Sequence, residues 1–183
     1  MSKSLVKILD YSIFPAAVTI LSKFIGILLA TQLFGIAWSI RDYGSSTFAV
    51  TTVLKTEDVI TVTAYSDLLM YIVTALFFSI AVIRAIFFHN THTSEMVILS
   101  LSKLNLLNLI KDSYTVYGMT AGWWIFMVLS NLLIWLNIFA GKSIEWIGIV
   151  TTLSSLVLSL VLFLDVYREI SQIRKHPSKY EWN

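Results

Sequence analysis

An all-α integral membrane protein with four transmembrane helices is the fold class this sequence predicts. Apolar stretches at 24–40, 68–88, 121–140 and 144–164 are almost free of charge. Each is long enough, or nearly so, to cross a ~30 Å hydrocarbon layer at ~1.5 Å per helical residue. Composition agrees: 57% of the residues are hydrophobic and 13% charged, where soluble domains carry about 25% charged residues. With 183 residues little chain remains outside the spans, so one membrane domain over 1–183 is expected.

The same composition removes whole classes of function. A net charge of +2 with no run of Lys or Arg gives no stripe for nucleic acid. The chain has no cysteine, which excludes disulfides, thiolate metal sites and a cysteine nucleophile. No acidic pair has a hydrolase's placement, and no Gly-rich strand–helix turn exists to cradle phosphate. Neither a cofactor nor a catalytic constellation is expected.

At the N-terminus, Leu5, Ile8, Leu9, Ile13 and Ala16 recur at three- and four-residue steps with Lys3, Lys7 and Asp10 off that stripe. This predicts a short amphipathic helix in the headgroup region. A secretory signal would also begin with basic residues before an apolar run. Here that run is long, includes Lys23 and lacks a small-x-small cleavage site, so a retained helix is expected. Pro15 either kinks one continuous helix or opens a second as its first residue. A continuous helix puts the Lys23 ammonium near mid-membrane, at a cost of about 2.5–3.5 kcal/mol. A span opening at Phe24 makes Lys23 an interfacial anchor, which is the reading favoured by sequence.

Between the first two spans, 47–54 and 59–65 are rich in Val, Thr and Ile around Lys55-Thr56-Glu57-Asp58, the signal of a small outer β-hairpin. Ser66 is then expected to cap the second span, with Asp67 at the positive end of its dipole. Residues 94–112 predict a further helix whose polar residues gather on no single face. Such a helix needs cover on most sides, so Leu101, Leu104 and Leu107 are candidate partner contacts. Gly141-Lys142-Ser143 alone joins the last two spans into an antiparallel hairpin. The tail, 167–183, is polar.

Four spans put both termini on one side. With them go Lys3, Lys7, Lys103, Lys111, Arg168, Arg174, Lys175 and Lys179; the other side has only Arg41, Lys55 and Lys142. The positive-inside rule therefore predicts cytoplasmic termini, in a plasma or inner membrane. Trp38, Trp123, Trp124 and Trp146 fall near the ends of spans, at belt positions.

Polar residues inside the spans are the candidate helix-packing or path-lining groups: Lys23, Asn131, Thr151, Ser155 and Ser159. Thr151, Ser155 and Ser159 make a small-residue stripe at four-residue steps, and Ala81 and Ala85 another. No mid-membrane carboxylate is evident for Lys23, and Asp165 is expected to face water or a basic neighbour. His89, His92 and Glu95 have metal-compatible spacing, but as a short cluster at a span's end they read as solvated loop.

Thr19-Ile20-Leu21-Ser22-Lys23-Phe24-Ile25-Gly26, with Phe34-Gly35 later, is similar to the opening helix of polytopic lipid-precursor flippases. Those families have many more spans and their Phe-Gly pair is displaced, so no residue role is carried over. The expectation is a non-enzymatic subunit or scaffold of a larger membrane assembly. Its partners are the lipid bilayer and other membrane subunits or further copies of itself. The alternative is a small oligomeric channel or transporter with a polar path near Asn131, Thr151 and Ser155.

Overall fold

The computed structural model describes residues 3–36, 56–87 and 113–175. Every regular element among them is an α-helix: α1 (Lys3–Leu33), α2 (Thr56–Phe87), α3 (Ser113–Phe139) and α4 (Glu145–Lys175). Within them Tyr11–Leu33, Glu57–Phe87, Thr115–Phe139 and Glu145–Ser171 are long and apolar enough to cross a membrane. A helix satisfies its backbone internally, as hydrocarbon requires. Four such helices make this a multi-pass membrane protein.

The first helix differs from expectation. It runs through Pro15 without a break, so the N-terminal segment is continuous with the first span. The apolar window is Tyr11–Leu33 in place of 24–40. What stops the helix is Gly35, whose φ of 63° is left-handed. Around it Ile36 N–H bonds the Thr31 carbonyl and Gly35 N–H the Gln32 carbonyl, the paired closure of a Schellman motif. Pro15 is accommodated because only one helical donor is lost, the one that would reach Tyr11. The Tyr11 carbonyl instead lies against α3, where a Cβ on Gly122 would come within 2.9 Å of it.

The expected β-hairpin is also corrected. Its second strand, 59–65, is part of α2, and its first, 47–54, lies outside the described residues. Ser66 and Asp67 are therefore interior to α2 and cap nothing, while Glu57 and Asp58 occupy the acidic first turn. Strand preference is strongly context-dependent. Here the stretch lies beside the end of α1, with Tyr65 against Phe34, and buries Val62 and Ala64. The expected helix at 94–112, with Leu101, Leu104 and Leu107, lies outside the described residues, as do His89, His92, Glu95 and Trp38.

The turn between α3 and α4 is as expected. Gly141, at φ 67°, lets Lys142 N–H reach the Asn137 carbonyl and Gly141 N–H the Ile138 carbonyl. The two Schellman endings are thus alike.

α2 is the central helix and packs on all three others, while α1 and α4 do not touch among the described residues. Its Ala64, Tyr71, Phe78 and Val82 meet Trp123, Met127 and Ile134 of α3 and Ile147 and Leu162 of α4 in one buried cluster. Trp123, expected in an interfacial belt, is in this core, stacked on Phe77 with ring centroids 4.8 Å apart. Trp146 is exposed.

Candidate functional site

Three helices converge on one carboxylate. Asp67 of α2 is 1% exposed; its Oδ1 is ion-paired with Lys23 Nζ of α1, and its Oδ2 accepts a 2.7 Å hydrogen bond from Asn137 Nδ2 of α3. The approach of α1 that permits this pairing comes from small residues. Ser22, Gly26 and Ala30 are buried at four-residue steps, and at Gly26 the approach is to α2, where a Cβ would stand 2.8 Å from the Ser66 Cα. Such a surface lets two backbones approach as close-packed membrane helices do. Removing two charges from water is expensive unless they are paired and further hydrogen-bonded. The Asn137 amide supplies that further bond.

The node also fixes the relative height of the two hairpins. α1 continues ten residues beyond Lys23 to Leu33, and α2 reaches eleven residues back from Asp67 to Thr56. Both therefore rise about 15 Å above the node at ~1.5 Å per residue. α3 has only two residues left after Asn137, ending at Phe139 before the turn. The α1–α2 pair thus overhangs the α3–α4 turn by several helical residues.

A second polar cluster joins α3 to α4. Asn131 Oδ1 accepts from Thr151 Oγ1 at 2.8 Å and Thr152 Oγ1 at 3.3 Å, while Thr152 Oγ1 accepts from Asn131 Nδ2 at 3.2 Å and Trp135 Nε1 at 2.8 Å. Lower down, the Tyr71 hydroxyl lies 2.5 Å from Ser154 Oγ and 2.8 Å from Ser155 Oγ, tying α2 to α4. Trp124 Nε1 donates to Ser159 Oγ at 2.9 Å, and the Tyr117 hydroxyl donates to Asp165 Oδ2 at 2.8 Å. Asp165, expected to face water or a basic neighbour, is therefore engaged by α3. Between Tyr117, Ala121, Leu162, Val166, Glu169 and Ile170 lies a mainly apolar cleft of about 310 Å³.

The five span residues singled out by sequence separate into different groups. Asn131 and Thr151 bond each other, and Ser155 and Ser159 continue the same face of α4 but meet Tyr71 and Trp124. Lys23 belongs to the other cluster. It is paired, with Asp67 as its counter-ion, and falls within the apolar Tyr11–Leu33 window of a helix that is continuous through Phe24. Sequence reasoning missed Asp67, Asn137 and Tyr71. The signal that could have found Asp67 is the helical spacing of Val62, Ser66 and Met70 around it, all buried. Gly118 and Gly122 were missed too; both are pressed against Tyr11. No protein-family model, curated protein or solved structure matches this chain.

Proposed function

We propose that this chain is a non-enzymatic subunit or scaffold of a larger membrane assembly. One observation carries the reading: among the described residues, the polar side chains of the spans spend their hydrogen bonds within the chain, on their own helix backbone or on a neighbouring helix. Lys23 and Asn137 together satisfy the Asp67 carboxylate, and Asn131, Thr151 and Thr152 bond one another. A reacting group or a conducting path needs polar atoms turned toward an opening. These are turned toward each other, which suits a rigid body that other proteins assemble around.

The excess of Lys and Arg on one side of the four spans supports cytoplasmic termini in a plasma or inner membrane. The same topology would put the amphipathic N-terminal segment at the cytoplasmic headgroups and make 94–112 a cytoplasmic contact helix. Single cysteines replacing Lys55 and Lys179 should label from opposite faces of intact cells, Lys55→Cys from outside. Labelling of both from one face overturns the topology.

One observation favours the alternative, an oligomeric channel or transporter with Asn131, Thr151 and Ser155 near its path. A charged pair kept inside a span often marks an ion or substrate route. Purification in mild detergent separates the readings. The subunit reading expects a particle of several different proteins, well above the 20.7 kDa of this chain, and no conductance in liposomes. A symmetric homo-oligomer that conducts supports the alternative and overturns the first reading.

A further inference from the structure

The four apolar windows hold 23, 31, 25 and 27 residues. At ~1.5 Å per residue they run from about 35 to about 47 Å and average about 40 Å. An upright crossing of ~30 Å of hydrocarbon needs only about 20 residues. Helices longer than the layer is thick tilt, kink or thicken the bilayer. Tilting alone brings an average of about 40 Å down to ~30 Å at an inclination of about 40°.

A second observation leads to the same angle without using helix length. Bonds between helices fix their heights against one another: Lys23, Asp67 and Asn137 share one level, and Asn131 shares another with Thr152. On that scale the exposed apolar side chains of α1 run from Ile13 to Phe34, with their middle at Lys23 and Phe24. Those of α4 run from Trp146 to Ile170, with their middle at Leu158. Asn131 is six residues before Asn137, and Leu158 is six beyond Thr152. The middle of the α4 face is therefore about 18 Å nearer the Phe87 end of the bundle than that of α1. Among the described residues α1 and α4 both pack on α2 and not on each other. At ~8–10 Å between packed axes they stand about 16–20 Å apart. An offset of about 18 Å over that width slopes the apolar surface by about 45°. α2 lies between the two levels and has the longest window, 31 residues.

We infer that acyl chains cover the exposed faces of α1 and α4 alike, along an oblique belt, and that the whole bundle lies inclined in the bilayer by about 40°. Standing upright, the bundle holds one of these faces partly outside the hydrocarbon. Inclined, it centres both. Such a tilt is at the upper end for membrane helices, which average ~20°. The occupant of the α1 face is then the lipid itself. The inclination goes beyond the subunit reading and holds equally for the alternative, because it depends only on the surface this chain presents.

The test uses the absence of native cysteine. Leu21→Cys and Leu160→Cys, at positions 59% and 61% exposed, each receive a nitroxide in the full chain, reconstituted in phosphatidylcholine liposomes with ~30 Å of hydrocarbon. The two positions are about 18 Å apart along the bundle. Depth measurements should put both labels within about 5 Å of mid-bilayer, as an oblique belt requires. Oriented-sample ¹⁵N NMR should give α2 and α4 a tilt of about 40°. Labels that differ in depth by about 18 Å show an upright bundle and overturn the inference. Labels both at mid-bilayer with a tilt of ~20° or less overturn it too, since the bilayer then bends around upright helices. A Leu21 label closed to lipid-dissolved oxygen while the Leu160 label is open means that protein covers the α1 face, which also overturns it. If either variant fails to fold, Phe24→Cys and Val157→Cys repeat the measurement at the same separation.

Discussion

In the α3–α4 hairpin, a short turn at Gly141 sets two helices side by side, and the bonds near that turn are between neutral groups: an amide, two threonine hydroxyls and an indole N–H, with the Tyr117–Asp165 bond far from it at the other end. In the α1–α2 hairpin, the connection lies outside the described residues. Its helices approach closely at Gly26, against Ser66, and a lysine–aspartate pair pins them. The contrast shows two ways of making helix association specific without a hydrophobic driving force. Neutral interhelical bonds are individually worth roughly 1 kcal/mol and can be lost one at a time. A buried ion pair adds little net stability when whole, yet breaking it from one side is severe because a charge is left behind. The first hairpin should therefore fail abruptly and the second by degrees.

The largest expected effect tests that asymmetry. Asp67→Ala leaves the Lys23 ammonium without its counter-ion and Asn137 without its acceptor, and should cost about 3–5 kcal/mol in a detergent unfolding titration. Lys23→Met/Asp67→Leu removes both charges and should recover most of that loss. If the double variant is as unstable as Asp67→Ala, the ion pair is not what the single change broke. The comparison of the hairpins would then lose its basis.

A smaller effect separates backbone contact from side-chain contact. At Gly26 a Cβ would meet Ser66 backbone atoms at 2.8 and 2.9 Å, so α1 and α2 must part for Gly26→Ala to fit. At Gly148 of α4 the nearest obstacle is the end of the Ile138 side chain, which can rotate away. Overpacking typically costs about 1–3 kcal/mol. Gly26→Ala should lie at the upper end of that range and Gly148→Ala at or below the lower. Equal melting temperatures for the two variants would show that the α1–α2 approach is looser than its geometry.

The two hairpins also differ in how far their sequences disclosed them. The α3–α4 hairpin was legible because its signals are local. The glycine turn, the uninterrupted apolar runs and the Thr151, Ser155 and Ser159 stripe all lie within a short stretch, and helical periodicity orders them. In α1–α2 the deciding contacts are distant in sequence: Lys23 and Asp67 are 44 residues apart, and Asp67 and Asn137 are 70. Nothing local shows that a lysine has a counter-ion on another helix. Local preference also misled at 59–65, where β-branched residues favour a strand until α1 supplies a surface for a helix to pack on. The end of α1 was misplaced because Phe34-Gly35 is embedded in apolar residues, so hydropathy ran on past the glycine that stops the helix.

Asn131→Leu is the mildest perturbation and the one that bears on function. It removes the acceptor shared by Thr151 and Thr152 and the donor to Thr152, but both threonines keep backbone acceptors on α4: Thr151 bonds the Ile147 and Gly148 carbonyls, and Thr152 the Gly148 carbonyl. No hydroxyl is stranded, so the loss should be about 1 kcal/mol, the usual worth of an interhelical bond in lipid. In the subunit reading this is the whole effect: slightly lower stability in detergent, with unchanged ion and solute permeability in liposomes. In the channel reading an apolar leucine replaces a polar path residue, where a hydrophobic constriction dewets and closes. Conductance from the purified wild type, abolished by Asn131→Leu in a protein that still unfolds cooperatively, would establish the path and displace the scaffold.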